Sequence, residues 1–219
     1  MNTRTRLMLA ASTTAVLLAV PRIALAGPPL ICHPYDIGTA ASLPWGAGTS
    51  WLEGRADYNV ENLVADTEAL LRPSTPVIVR METLRRASIY ASRDGRVAAL
   101  LVNRLTAKAR ASQVAGHPDA LALLDAAYVT EALRQIADIG GIAPYRDRVT
   151  GVREAIAQAD GRALMTASLN ARPNDPTLEF AAAIIAAGRD DAAYAVHARR
   201  ARDGAGNDAL LARNLSHIS

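Results

Sequence analysis

Asp175-Pro176-Thr177-Leu178-Glu179-Phe180-Ala181-Ala182-Ala183-Ile184-Ile185-Ala186-Ala187-Gly188 reads as one complete helix. The aspartate offers an acceptor to the free amides of a first turn. Proline at the first helical position lacks only an amide that would go unused, and glycine suits the turn that ends the element. Leu178, Phe180, Ile184 and Ile185 supply apolar surface. The alanines between them let a neighbouring helix axis approach near the low end of the usual roughly 8–10 Å.

The same punctuation recurs outward from this stretch. Asp190 caps a following helix carrying Tyr194 and Val196, and Asn207 caps a short last one with Leu210, Leu211 and Leu215. Upstream, Asp160-Gly161 separates a helix from Arg162 to about Ala171 from a stretch that Pro144 opens through Val152 and Ile156. Four earlier helices are expected. One runs from Asn59 (Val60, Leu63, Val64, Leu70, Leu71 on one stripe) and one from Thr75-Pro76 (Val77, Met81, Leu84). A third runs from about Asp94 to Gln113, with Val97, Leu100, Leu101 and Leu105 inward and Gly116 as its stop. His117-Pro118 opens the fourth (Leu121, Leu124, Tyr128, Ile136), which Gly140-Gly141 closes. Pro76, Pro118, Pro144 and Pro176 are each assigned to a first helical position. No segment of five residues alternates as a strand does, so the expectation is all-α: antiparallel helical hairpins stacked as an irregular bundle or a short solenoid.

Residues 27–58 differ from this body. Pro28, Pro29, Pro34 and Pro44, glycines at 38, 46, 48 and 54, and four of the nine aromatics (Tyr35, Trp45, Trp51, Tyr58) leave no helical period. They are read as an extended segment laid across the helices of residues 59–219 and held by its aromatic side chains. Ahead of it, residues 1–26 have the three parts of a secretory signal: Arg4 and Arg6, the apolar run Leu7 to Val20, and Ala24-Leu25-Ala26 before Gly27. That run falls short of the about 20 residues of a membrane span, so the expectation is export with cleavage near Ala26, to the periplasm or beyond, and no span in the mature chain. An uncleaved anchor is the alternative. Ile31 before Cys32 departs from the small residue that a lipidation signal carries there.

Charge follows from the cleavage. The chain of 219 residues has 24 basic and 21 acidic side chains, net +3. Removal of Arg4, Arg6 and Arg22 takes the basic count to 21 and the net to zero, which excludes nucleic-acid binding through uncompensated positive charge. Cys32 is the single cysteine, so an intrachain disulfide is impossible and stability rests on apolar burial.

Pro144, Pro176 and Asp208 recur at equal spacing, and Asp175-Pro176 through Gly188, with Ala192-Ala193 and Ala201, resembles a degenerate tetratricopeptide repeat over the C-terminal third. The resemblance implies a TPR-like solenoid and a protein- or peptide-binding role. It departs from the family pattern in repeat length, in the register of Gly161 and Gly188, and in lacking the usual aromatic of the first helix. Cys32-His33-Pro34-Tyr35-Asp36-Ile37-Gly38 with Ser42-Leu43-Pro44-Trp45 is similar to the opening of small secreted bacterial proteins with no assigned activity, which implies export and no chemistry.

Catalytic signatures are missing: no G-x-S-x-G, H-E-x-x-H, G-x-x-x-x-G-K-[ST] or C-x-x-C-H occurs, and no serine stands three residues before Lys108, the only lysine. Asn214-Leu215-Ser216 matches the glycosylation sequon. Cys32, His33 and Asp36 are candidate metal ligands by type, although Cys32 and His33 point to opposite sides of an extended chain. The competing readings make Cys32 a small buried side chain with His33 as an anchor, or make Cys32 an intermolecular disulfide partner. His117, His197 and His217 are remote in sequence. Arg85-Arg86 and Arg199-Arg200-Arg202 are read as solvated helix faces with exposed ion pairs.

The expectation is an exported, non-catalytic module that binds a protein or peptide of the envelope in a groove between hairpins, without a cofactor, with Tyr35, Trp45 and Trp51 as candidate binding surface. The alternative is a small metal- or haem-binding protein using Cys32 and His33. A catalytic site gathered from distant residues is the third reading.

Overall fold

The computed structural model describes residues 27–46, 48, 51–52 and 54–219; the expected export segment lies outside the described residues. Among the described residues there are nine α-helices and no strand. They are α1 Leu63–Leu70, α2 Val77–Ala91, α3 Gly95–Val114, α4 Ala120–Asp138, α5 Val149–Ile156, α6 Gly161–Ala171, α7 Pro176–Ala186, α8 Asp191–Gly204 and α9 Ala209–Asn214. The fold is the all-α bundle the periodicity implies.

Aspartate starts six of these helices. Asp94, Asp119, Asp160, Asp175, Asp190 and Asp208 each sit at an N-cap and accept from first-turn amides, as Asp175 does from Thr177 (2.9 Å) and Leu178 (3.3 Å). A carboxylate there satisfies orphan donors and lies at the positive end of the helix dipole. The proline assignments hold only for Pro176. Pro76 is itself the cap residue of α2, Pro118 precedes the cap Asp119, and Pro144 lies in a turn before the 3-10 segment Arg146–Arg148 that leads into α5. Proline marks an amide that needs no partner, a property shared by several positions around a helix start. Thr75 also serves the preceding helix instead, its hydroxyl donating to the Leu70 carbonyl (2.7 Å). Asp208, not Asn207, caps α9. Gly116 and Gly140 end α3 and α4 at φ +76°, where a side chain would be strained.

α4 is the central element. It packs against α2, α3, α5, α6 and α7, and all of it except Arg134 and Asp138 is buried. α2 is equally enclosed, with only Arg86 outside the buried set. A helix with no solvent face has to neutralise its polar residues internally. Arg80 of α2 grips Asp125 of α4 with two hydrogen bonds (2.8 and 2.6 Å) and donates to the Arg72 carbonyl (2.6 Å) just past α1. Leu100, expected inward, is 51% exposed on α3. α6 lies against α4, and α7 pairs with α8.

Residues 27–58 contain no helix or strand among those described and cross the bundle over α2 and α4. Leu30, Ile31, Tyr35 and Leu43 enter the core. Irregular backbone has no ladder partners, so side chains of the helices supply them. Gln135 accepts from Leu30 N (2.9 Å), Arg85 donates to the Ile31 (3.1 Å) and Trp51 (3.2 Å) carbonyls, Arg86 donates to Leu43 O (2.7 Å), and Tyr90 Oη donates to Pro44 O (2.6 Å). Asn214 of α9 closes the far side, accepting from Asp36 N and donating to Asp36 O (2.9 Å each).

α3 and α5 meet through two glycines. A Cβ on Gly95 would stand 2.6 Å from Gly151 Cα, and one on Gly151 would stand 2.9 Å from Gly95 Cα. Gly→Ala in a helix ordinarily stabilises by a few tenths of a kcal/mol or more. Here Gly95→Ala should destabilise by about 1–3 kcal/mol, because backbone must move. Gly206→Ala, with nothing within 4 Å, should stay within about 0.5 kcal/mol. Urea unfolding of the two variants measures both.

Candidate functional site

Beneath residues 30–35 lies a buried polar cluster built on one turn of α2. Glu82 Oε2 accepts from Arg85 Nε (2.8 Å) and from Tyr35 N (3.1 Å), and Glu82 Oε1 accepts from Arg85 Nη2 (2.9 Å) and Arg86 Nε (2.7 Å). The side chains of Glu82 and Arg85 are both 0% exposed. The reading of Arg85-Arg86 as a solvated face is therefore corrected: Arg85 is interior and Arg86 covers the edge. Burial alone would raise the Glu82 carboxyl, but hydrogen bonds and charge from Arg85 and Arg86 hold it below the usual carboxylate range. Arg199 and Arg200 are exposed as expected, with Arg200 3.2 Å from Glu179.

Around this pair stand aromatic rings. The hydroxyls of Tyr35 and Tyr128 are 3.1 Å apart, and Tyr128 reaches the Leu30 carbonyl (2.8 Å). Burial raises both phenols above their ordinary value. His217, in the last 3-10 turn, places its ring 4.8 Å from Tyr35 and 6.3 Å from His33, centroid to centroid. Burial, helped by the neighbouring His33 and Arg85, lowers His217 to about 4, so its imidazole is neutral at physiological pH. Burial likewise pushes the Cys32 thiol up to about 11 against the pull of Arg85. A thiol held protonated is a poor nucleophile. The cluster thus holds a neutral imidazole, protonated phenols, a protonated thiol and an ion pair.

The candidate residues fall apart into distinct environments. Cys32 and His33 are half-buried, but Asp36 is exposed, accepting from Gly38 N (2.9 Å) and facing Arg213 at 3.8 Å. Among the described residues no three His, Cys, Asp or Glu side chains converge as metal ligands. Tyr35, named as binding surface, is only 4% exposed and belongs to the core. Trp45 lies half-buried against Tyr90 (5.4 Å), with the Arg85 and Arg86 guanidinium carbons 5.0 and 5.6 Å from its centroid, and Trp51 packs on the core. Glu82, Tyr128 and His217 were not singled out from the sequence as site residues. The α2 stretch Val77–Ala91 did carry a signal, since its apolar residues fall on every side and leave no face for solvent. Nothing local ties His217 to His33.

A second feature is a groove of about 400 Å³ between α3 and α5. It is lined by the small residues Gly95, Ala99, Gly151 and Ala155 and by Arg96, Asn103, Glu154 and Gln158. Arg96 pairs with Glu61, while Asn103, Glu154 and Gln158 are exposed. The chain matches no protein-family model, no curated protein and no solved structure.

Two outcomes follow for the cluster. Glu82→Gln leaves Arg85 buried without its counter-charge and should cost about 3–5 kcal/mol in urea unfolding. An unfolded imidazole titrates near 6.5 whereas His217 in the folded chain titrates at about 4. Its contribution is present above pH 6.5 and is lost as pH falls towards 4, because the unfolded chain takes up a proton that the folded chain refuses. His217→Phe should therefore lose less stability than the parent across that window.

Proposed function

We propose that the chain is an exported, non-catalytic binding module of the cell envelope that engages a protein or peptide in the α3–α5 groove. The observation that carries this reading is the groove's make-up. The small side chains of Ala99 and Ala155 leave room for an incoming backbone beside the two helices, and the Asn103 and Gln158 amides each offer a donor and an acceptor to peptide groups. Arg96 and Glu154 add one charge of each sign, in keeping with a neutral processed chain. Support also comes from the cluster beneath residues 30–35, where the His217 imidazole is neutral, the Cys32 thiol and the Tyr35 and Tyr128 phenols are protonated and Glu82 is ion-paired, and from the TPR-like pattern of the α7–α8 hairpin.

The test uses the chain recovered from the envelope, beginning at Gly27, with a photo-reactive residue at Asn103. A discrete crosslinked partner is expected, and Gln158→Trp, which fills the groove from an exposed position, should cut its recovery at least tenfold. Equal recovery by the filled variant overturns the groove, and absence of any crosslink at Asn103 overturns the binding role.

A further inference from the structure

The α3–α5 groove is closed at one end, where the backbones of the two helices meet at Gly95 and Gly151. From that contact its lining leads onward to Asn103 on α3 and to Gln158 just past α5. Two arginines stand just outside the closed end. Arg93 precedes α3 and Arg148 precedes α5, and their guanidinium carbons lie 5.7 and 5.4 Å from the centre of one ring, that of Tyr145. Arg148 Nη1 donates to the Arg93 carbonyl (2.8 Å), which ties the exposed Arg148 head group to the residues that open α3. No carboxylate among the described residues pairs with either guanidinium. The neighbouring acids are engaged elsewhere: Asp94 caps α3 through the Arg96 amide, and Glu61 pairs with the Arg96 side chain. Arg93, Arg96, Arg146 and Arg148 stand against Asp94, Asp147 and Glu61 here, four positive charges to three negative. Two like charges held on one ring repel, and an added anion relieves that repulsion.

We propose that this end of the groove receives the free C-terminal carboxylate of a bound peptide, an inference that rests on the groove as the peptide-binding site. A peptide lying along the groove has no room between the helices past the Gly95–Gly151 contact, so the groove's end coincides with a chain end. Of the two ends a peptide has, the ammonium would meet the surplus of arginine and be repelled. The carboxylate brings the one negative charge that balances it. Arg148 spends one Nη1 donor on the Arg93 carbonyl, and the rest of its fork is open to carboxylate oxygens. An acidic side chain carries the same charge, but from mid-chain it would drive the remaining peptide against the glycine contact. The bound chain then leads away towards Asn103 and Gln158, whose amides suit its peptide groups. The site lies outside the α7–α8 hairpin that bears the repeat-like pattern.

The chain with a photo-reactive residue at Asn103 is offered two pools of random octapeptides, one with free C-terminal carboxylates and one C-terminally amidated. The carboxylate pool should label it at least tenfold more strongly, the size of effect that one charge-assisted contact carries. Arg148→Gln, at an exposed position, should bring the carboxylate pool down to the amidated level. Labelling by the amidated pool should stay unchanged in that variant, which separates loss of the contact from loss of the fold. Equal labelling of the parent by both pools overturns the terminal carboxylate and leaves the groove standing; recognition of acidic side chains gives that result, since both pools contain them. A preference that persists when Arg93→Gln is added to Arg148→Gln overturns the assignment to these arginines. If neither pool labels the parent, the groove falls and this inference falls with it.

Discussion

Glu82 and Arg85 stand one turn apart on a helix that has no solvent face, and this constraint governs much of the molecule. A buried guanidinium carries five donors, of which the carboxylate satisfies only part. Two more are met by the Ile31 and Trp51 carbonyls, while Glu82 takes in the Tyr35 amide. Residues 27–58 are thereby part of the interior's hydrogen bonding as well as of its apolar packing. Removing that segment would strand charges inside α2, and removing the charges would strand its backbone. The two stabilise each other, and neither is complete alone.

The position of the histidines follows from that arrangement. Tyr35 is drawn in by Glu82 and Tyr128, which brings His33 to the rim of the cluster. Asn214 binds both backbone groups of Asp36, which holds the last turn against the segment and lays His217 over the Tyr35 ring. The opposite ends of the folded chain are thus joined at one place, without any disulfide. The α3–α5 groove is set by a different rule, the close approach that only glycine permits at residues 95 and 151. Cluster and groove are separate features with separate physical origins.

Helix number and most boundaries were legible in the sequence because they depend on local chemistry. Periodic apolar residues, aspartate caps and left-handed glycines act over a few residues and announce themselves wherever they occur. Prolines misled at residues 76, 118 and 144 because a missing amide is tolerated at several places around a helix start; beside Pro118 it is Asp119 that satisfies the first turn. Asp36 looked like a partner for Cys32 and His33 by proximity, yet the turn at Gly38 and the tie to Asn214 leave it facing solvent and Arg213.

By itself, then, the amino-acid order determined an all-α protein whose first described segment is irregular and aromatic, because helix periodicity and capping are read over one or two turns. Only the tertiary structure decided that Glu82 and Arg85 are interior, that Tyr35 belongs to the core, and that His217 is the residue beside His33. Those outcomes depend on which face of each helix another helix covers, and on which distant residues the chain's closure brings together. Both are set by burial of the whole apolar surface at once, to which no short stretch of sequence is sensitive.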